Sequence, residues 1–164
     1  MSQRIVIDSL SFAREARILE GELPVAGFER IQDGLTENVG VIRYRIEGGL
    51  GERNRPQLHL QLDGVLSLCC QRCLEGIEYP LQVSNVLEFV GNEDELTQEE
   101  IEDDSRDFLP AQSEVDVVAL IEDEIILDLP SAPRHESCVL PASAQDNPED
   151  SPFAVLKGLR SKAQ

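Results

Sequence analysis

The chain has 164 residues, 41% of them hydrophobic, and a formal net charge of −18, so it is long enough for one domain with one hydrophobic core. No apolar run approaches the ~18 residues that a membrane span needs, and the charged N-terminal stretch does not have the pattern of a secretory signal. We therefore expect a cytoplasmic protein, in which thiols stay reduced and paired cysteines favour a metal site or catalysis over a disulfide.

Short extended runs are predicted at residues 5–7 and in "LEGELPV", and the first cleanly alternating strand is "NVGVIRYRIEG". Ile42, Tyr44 and Ile46 point to one side of this segment, whereas Arg43 and Arg45 point to the other. This alternation is typical of a half-buried strand. The preceding segment "VAGFERIQDGL" predicts a brief helix.

Two longer alternating runs follow, "QLHLQLDGVLSLCC" and "IEYPLQVSNVLEFV". In the first run, leucines recur at period two on one face, and Gly64 predicts a bulge. The short turn between the runs predicts a long antiparallel hairpin with the motif Cys70-x-x-Cys73 at its tip.

A strongly acidic stretch comes next, and we expect an acidic, solvated or disordered loop over about residues 91–112. One interpretation is a docking arm for a basic partner, and the other is a flexible loop with no partner. The candidate partner-binding residues are Glu93, Asp94, Glu95, Glu99, Glu100, Glu102, Asp103 and Asp104.

The segment "SEVDVVALIEDEIILDLP" predicts the main helix, over residues 114–127, with Ser113 and Asp116 as a loose capping box. Apolar residues recur at helical spacing, and we expect the acids Glu122, Asp123 and Glu124 to lie on the solvent side. No catalytic acid/base pair is assigned to them.

The chain then divides into a domain over residues 1–140 and a linker with a short C-terminal amphipathic segment over residues 141–164. The last segment predicts a short helix that docks either on its own domain or on a partner. Its apolar stripe consists of Phe153, Leu156 and Leu159, and its cations are Lys157, Arg160 and Lys162.

The predicted fold is α+β. It has an antiparallel sheet of about four to six strands, open or barrel-like, with a long hairpin, and the main helix and the short C-terminal helix pack against the sheet.

The four cysteines suggest a split site. Cys70 and Cys73 have the spacing of a metal knuckle, and His135 and Cys138 repeat that spacing far along the chain. Three thiolates and one imidazole form a reasonable tetrahedral set for structural zinc. Buried thiols without a metal remain an alternative, as we expect for Cys69, and a redox pair is the third. Redox pairs lie at the start of a helix, whereas this motif joins two strands.

The charge is uneven along the chain. Residues 1–82 contain 9 basic and 12 acidic residues (9 − 12 = −3), whereas residues 83–164 contain 5 and 20 (5 − 20 = −15). We therefore expect the second half to repel nucleic acid and to attract a basic partner; the other interpretation is that the charge serves solubility alone. Direct RNA binding remains an alternative for the more balanced first half, where the candidate residues are Arg43, Arg45, Arg53 and Arg55. Scattered surface arginines are the interpretation that we favour for these four residues. No phosphate-binding loop is present, and we predict a protein that is not an enzyme.

Three segments together resemble the YceD family: "CQRCLE", "DVVALIEDEIILDLPSAPRHESC" and "PFAVLKGLR". The resemblance implies a role in the accumulation of large-subunit ribosomal RNA, and hence in ribosome biogenesis, with no established catalytic activity. It also implies a gene that neighbours one for a small basic ribosomal protein. Some relatives carry extra cysteine pairs after the helix, where this chain has only "HESC".

The resemblance and the charge together suggest a hypothesis. A strongly acidic protein does not coat ribosomal RNA, but it can hold a basic large-subunit ribosomal protein until that protein reaches the RNA. Ribosomal RNA or a precursor particle would then be an indirect partner.

Overall fold

The structure is a computed structural model that describes residues 4–102 and 107–138. The strands are, in chain order, β1 (Val6–Ile7), β2 (Ile18–Pro24), β3 (Leu35–Glu37), β4 (Val41–Leu50), β5 (Pro56–Cys69), β6 (Gly76–Val90), β7 (Asp107–Pro110) and β8 (Val115–Asp116). The α-helices are α1 (Ser9–Arg14), α2 (Gln98–Ile101) and α3 (Val117–Asp128).

Six strands form one sheet in the order β2-β4-β5-β6-β7, with β3 pairing along β5 beyond the end of β4. All pairs in this sheet are antiparallel except β6 with β7, which is parallel. Strands β1 and β8 form a separate two-stranded sheet. The predicted α+β fold with a mostly antiparallel sheet is confirmed, and the sheet is open instead of closing into a barrel.

The predicted hairpin is confirmed as β5–β6. Its register runs without a break from the pair Gln57 with Glu88 to the pair Cys69 with Gly76. The bulge predicted at Gly64 is wrong, because the pairing is continuous there. Gly64 instead allows β4 to come close: a Cβ at this position would lie 2.5 Å from Cδ1 of Ile42.

The core lies against the leucine face of β5. Leu58, Leu60 and Leu66 are fully buried there, together with Ile42 and Ile46 of β4. Helices α1 and α3 contribute residues to the same apolar cluster. Helix α1 packs directly on β4, since a Cβ at Gly48 would lie 2.3 Å from the carbonyl oxygen of Phe12.

The main helix begins later than the sequence predicts. Val115 and Asp116 are extended and pair with β1, and Asp116 alone is the N-cap: its carboxylate accepts hydrogen bonds from the backbone N–H groups of Val118 and Ala119 at 3.0 and 3.3 Å. Strand pairing therefore takes the two residues that the helical pattern assigned to the first turn.

The brief helix predicted before β4 is replaced by two 3-10 turns, Val25–Gly27 and Gln32–Gly34. The acidic stretch differs more from its prediction, because it contains the 3-10 turn Glu93–Glu95, helix α2 and strand β7. The predicted C-terminal helix and the domain boundary at residue 140 lie outside the described residues.

Candidate metal centre and charged surfaces

The turn that joins β5 to β6 is a compact knuckle. The backbone N–H of Cys70 donates to the carbonyl oxygen of Glu75 at 2.9 Å, and the N–H of Leu74 donates back to the carbonyl oxygen of Cys70 at 2.9 Å. Leu74 has φ of +64°, which is a strained conformation for a residue with a branched side chain. The strand–turn–strand geometry predicted for the motif is observed, and no helix follows the cysteines directly.

The chain after α3 returns to this knuckle. The N–H of Gln71 donates to the carbonyl oxygen of Pro133 at 2.9 Å, and Nη2 of Arg72 donates to the carbonyl oxygen of Cys138 at 3.2 Å. Two hydrogen bonds from adjacent knuckle residues thus hold the segment with His135 and Cys138 beside the hairpin tip.

The fold brings together the four residues Cys70, Cys73, His135 and Cys138, which we call the cysteine cluster. Their ligand atoms all lie within 4.8 Å of one another. Sγ of Cys70 lies 3.9 Å from Sγ of Cys138, and Sγ of Cys73 lies 3.4 Å from Nδ1 of His135. Two sulfurs at ~2.3 Å from one tetrahedral zinc ion would be about 3.7 Å apart, so this spacing suits such an ion.

The orientation of His135 suits metal binding as well. Its Nε2 lies 3.2 Å from the carbonyl oxygen of Gly76, to which an Nε2–H group donates. In this tautomer of the neutral ring the other nitrogen, Nδ1, carries the lone pair, and it lies 3.4 Å from Sγ of Cys73. Metal-binding histidines commonly donate their second N–H to a carbonyl in this way, which fixes the ring and its tautomer.

The surroundings of Cys70 favour the thiolate, which is the form of cysteine that binds a metal. Burial raises its pKa, but the backbone N–H groups of Cys73, Arg72 and His135 outweigh burial and lower the pKa to about 5. Burial raises the pKa of Cys138, and its neighbours Cys70 and Cys73 raise it further. A cation at the centre would stabilise several thiolates together, because it compensates the repulsion between them.

Cys69 lies outside the cluster. Its Sγ is 3.8 Å from the carbonyl oxygen of Leu74, and its side chain is half-buried. Cys69 contributes no ligand atom to the cluster, and it is half-buried where the sequence predicts a buried thiol. A metal ion held by these three sulfurs and one nitrogen would have a complete tetrahedral shell, with no position left for a substrate.

The candidate partner-binding acids fall into two groups. Asp94, Glu95, Glu99 and Glu102 are exposed, whereas Glu100 is half-buried. Thr97 caps α2, and Glu100 returns the capping-box bond to the backbone N–H of Thr97 at 2.8 Å. Only the backbone of Glu93 is described, and Asp103 and Asp104 lie outside the described residues.

The four candidate RNA-binding arginines are all in ion pairs. Arg43 pairs with Asp63, and Arg45 pairs with Glu20 at 2.7 Å and also with Glu47. Arg53 and Arg55 both pair with Glu100, at 3.1 and 2.7 Å. Two of these arginines therefore hold α2, and none presents an uncompensated charge.

Sequence reasoning missed two polar contacts of α3. Glu122 is buried and accepts hydrogen bonds from the backbone N–H and Nε of Arg30, at 2.6 and 3.0 Å. Glu124 is also buried and accepts from Nδ2 of Asn85 at 3.0 Å. The expectation that both acids face solvent is wrong, because α3 packs between the sheet and the loop that carries Arg30. No local pattern pairs a helical acid with an arginine so far away in the chain.

The hydrogen bonds at the knuckle could not be predicted from the sequence either. The oxygens that fix the cluster belong to the backbone of Pro133, Gly76 and Cys138, and backbone groups carry no residue-type signal. The residue identities predicted the ligands, but not the hydrogen bonds that hold them. In the described parts of the chain, no helix is long and apolar enough to cross a bilayer.

Comparisons with known proteins place the chain in one family. The model of the family described as large ribosomal RNA subunit accumulation protein YceD matches residues 58–160. A relative of that name from Haemophilus influenzae is 32% identical over 117 residues, a match that covers 63% of this chain and 63% of the relative, which is less than two thirds of its length. No solved structure matches the chain.

Proposed function

Since the chain belongs to the YceD family, we propose that it supports the accumulation of large-subunit ribosomal RNA and thereby the assembly of the large ribosomal subunit. The family match carries this proposal, because it spans the hairpin, the cysteine cluster and α3 together. Depletion of the protein should lower the ratio of large-subunit to small-subunit ribosomal RNA. An unchanged ratio would contradict the proposal.

We further propose that the protein acts by holding a basic large-subunit ribosomal protein. Four exposed acids, Asp94, Glu95, Glu99 and Glu102, surround α2, and the formal charge of the chain is −18. The arginines nearest to them, Arg53 and Arg55, are already paired with Glu100. The remaining carboxylates therefore leave a negative surface for lysines and arginines of a partner.

A pull-down with a basic large-subunit ribosomal protein tests this mechanism. Binding should weaken as salt is raised, since exposed charges are screened. The amide variants Asp94→Asn, Glu95→Gln, Glu99→Gln and Glu102→Gln, combined, should reduce binding. The matched control neutralises four other exposed acids and should retain more of the binding: Glu15→Gln, Glu29→Gln, Asp33→Asn and Glu37→Gln. If both sets of variants lose the same amount of binding, net charge alone explains the interaction and the acids around α2 have no special role.

Direct binding to ribosomal RNA is the competing proposal for the same role. Its candidate residues Arg43, Arg45, Arg53 and Arg55 each pair with a carboxylate, so an RNA phosphate would have to displace that carboxylate. We therefore favour the protein partner. A gel shift with ribosomal RNA fragments separates the two, because Arg43→Glu with Arg45→Glu should abolish RNA binding only if RNA is the direct ligand.

For the cysteine cluster we propose one structural zinc ion, held by Cys70, Cys73, His135 and Cys138. The observation that supports it is the convergence of four ligand atoms within 4.8 Å from two distant parts of the chain. The ion would clamp the segment after α3 to the hairpin tip. It would have no catalytic role, since all four of its positions are filled by the protein.

Elemental analysis of purified protein tests the zinc proposal. One zinc per chain is expected in the wild type and in the control Cys69→Ser, whose thiol lies outside the cluster. Cys70→Ser and His135→Ala should each lose the metal. Zinc-supplemented, reduced wild-type protein without bound metal would exclude the site.

A further inference from the structure

An apolar groove lies between α3 and β7. It encloses a cavity of about 410 Å³ and is lined mainly by Leu87, Phe108, Leu109, Ile126 and Leu127. Leu127 is 75% exposed and Ile126 is 40% exposed, although they belong to the helix that buries Val117, Ile121 and Ile125 in the core. Two adjacent exposed aliphatic residues beside a groove mark a surface that another element covers.

The charged residues that line the groove are three acids, Asp107, Asp123 and Glu124, and one arginine, Arg30, which pairs with Asp123 at 2.6 Å. Asp107 and Glu124 share one hydrogen-bond donor, Nδ2 of Asn85, at 2.5 and 3.0 Å. Within residues 4–102 and 107–138, no arginine forms an ion pair with either carboxylate. Burial raises the pKa of Glu124, and the charge of Asp107 raises it further. The groove thus combines an apolar floor with two carboxylates that a cation would stabilise.

We propose that this groove is the docking site of the chain's own C-terminal segment, residues 152–162. That segment carries the complementary chemistry: an apolar stripe of Phe153, Leu156 and Leu159, and three cations, Lys157, Arg160 and Lys162. These include the only two lysines of the chain. No other segment outside the described residues combines apolar spacing with positive charge.

The length of the linker permits this docking. Cys138 lies at the hairpin tip, where its Sγ is 3.9 Å from Sγ of Cys70. Leu87 of the groove lies 11 residues beyond Gly76, the first residue of β6, or about 36 Å at ~3.3 Å per residue. The 14 Cα-to-Cα steps from Cys138 to Pro152 can span up to about 46 Å when the chain is extended. The segment therefore reaches the groove of its own molecule without a second copy.

The chain has no tryptophan, which allows a single reporter to be introduced. In Phe153→Trp the full-length protein should show blue-shifted emission and weak quenching by acrylamide, because the indole lies in the apolar groove. Adding Leu127→Lys should shift the emission to longer wavelength and raise the quenching constant several-fold. Lysine is tolerated near a helix C-terminus, and it repels the cations of the segment.

The matched control is Val39→Lys, which places the same charge at an exposed aliphatic residue in a loop. It should leave the emission unchanged, and circular dichroism should confirm that both variants fold. Equal emission with and without Leu127→Lys would overturn the proposal, as would solvent-like emission in Phe153→Trp itself. Emission that depends on protein concentration would also overturn it, in favour of docking on a second copy.

Discussion

The cysteine cluster and the acidic helix α2 both gather residues that repel one another, but the structure resolves the repulsion in different ways. At the cluster, three backbone N–H groups stabilise the thiolate of Cys70, and partners come from the distant segment after α3. At α2, the capping box and two arginine side chains neutralise Glu100 alone, and the neighbouring acids stay in water. Backbone hydrogen bonds fix a site in one geometry, whereas surface charges with solvent between them remain available to a partner.

The largest effect should come from removing the metal that we propose for the cluster. A zinc chelator should lower the free energy of unfolding of the wild type by roughly 3–5 kcal/mol, because metal binding is coupled to the ordering of its ligands. The double variant Cys73→Ser with His135→Ala should be insensitive to the chelator. Denaturant titrations measure the free energy of unfolding of both proteins. If the chelator does not change this free energy in the wild type, the cluster is stable without an ion.

Hydrogen exchange sharpens the same point. The amide of Gln71, which donates to the carbonyl oxygen of Pro133, should lose protection on chelation, while amides in the middle of β5 keep theirs.

The next effect concerns how α2 is held. Arg55 is 15% exposed and lies between Glu100 and the buried carboxylate of Glu88, so Arg55→Ala should cost about 2 kcal/mol of unfolding free energy. Arg53 contacts the same Glu100 but is 62% exposed, and Arg53→Ala should cost at most about 0.5 kcal/mol. Equal costs in thermal or urea unfolding would mean that the burial of Arg55 contributes nothing.

Acid should weaken α2 in a defined pH range. The backbone N–H of Thr97 is the main cause that lowers the pKa of Glu100 to about 2; burial opposes it, and Arg55 lowers it further. The folded state therefore favours the carboxylate. This stabilisation is complete above the ordinary pKa of 4.5 and is lost as the pH falls toward 2. Unfolding measured between these pH values should show a shallower decline in Glu100→Gln; an unchanged slope would contradict the role of Glu100.

The smallest effect should come from the exposed acids. Asp94→Asn and Glu99→Gln should change stability by less than about 0.5 kcal/mol, since exposed side chains lose little on substitution. Their effect should appear in partner binding instead. A clear loss of stability would show that these acids hold the fold and are not free for a partner.

The sequence predicted the parts of the fold that depend on local periodicity. The leucines of β5 alternate strictly, so the strand, its buried face and its hairpin with β6 could all be predicted from the sequence. The start of α3 could not be predicted in this way, because Val115 and Asp116 pair with residues of β1. Strand pairing across such a distance leaves no trace in a local window.

The same distinction holds for the sites. Matching spacings of Cys70-x-x-Cys73 and His135-x-x-Cys138 predicted which four residues converge, since metal ligands must come as a set. The pairing of Arg53 and Arg55 with Glu100 was not predictable, because any of the many acids could have met them. An RNA phosphate would therefore have to compete with Glu100 for both arginines.

The small sheet of β1 and β8 sets an order of events during translation. Val6 pairs with Asp116, so the N-terminal strand has no partner until 110 further residues have been synthesised. At the ~5–20 residues per second of a ribosome, that wait lasts about 5–20 s. The β5–β6 hairpin is synthesised well before then, and β1 therefore pairs later than the hairpin although it precedes the hairpin in the chain.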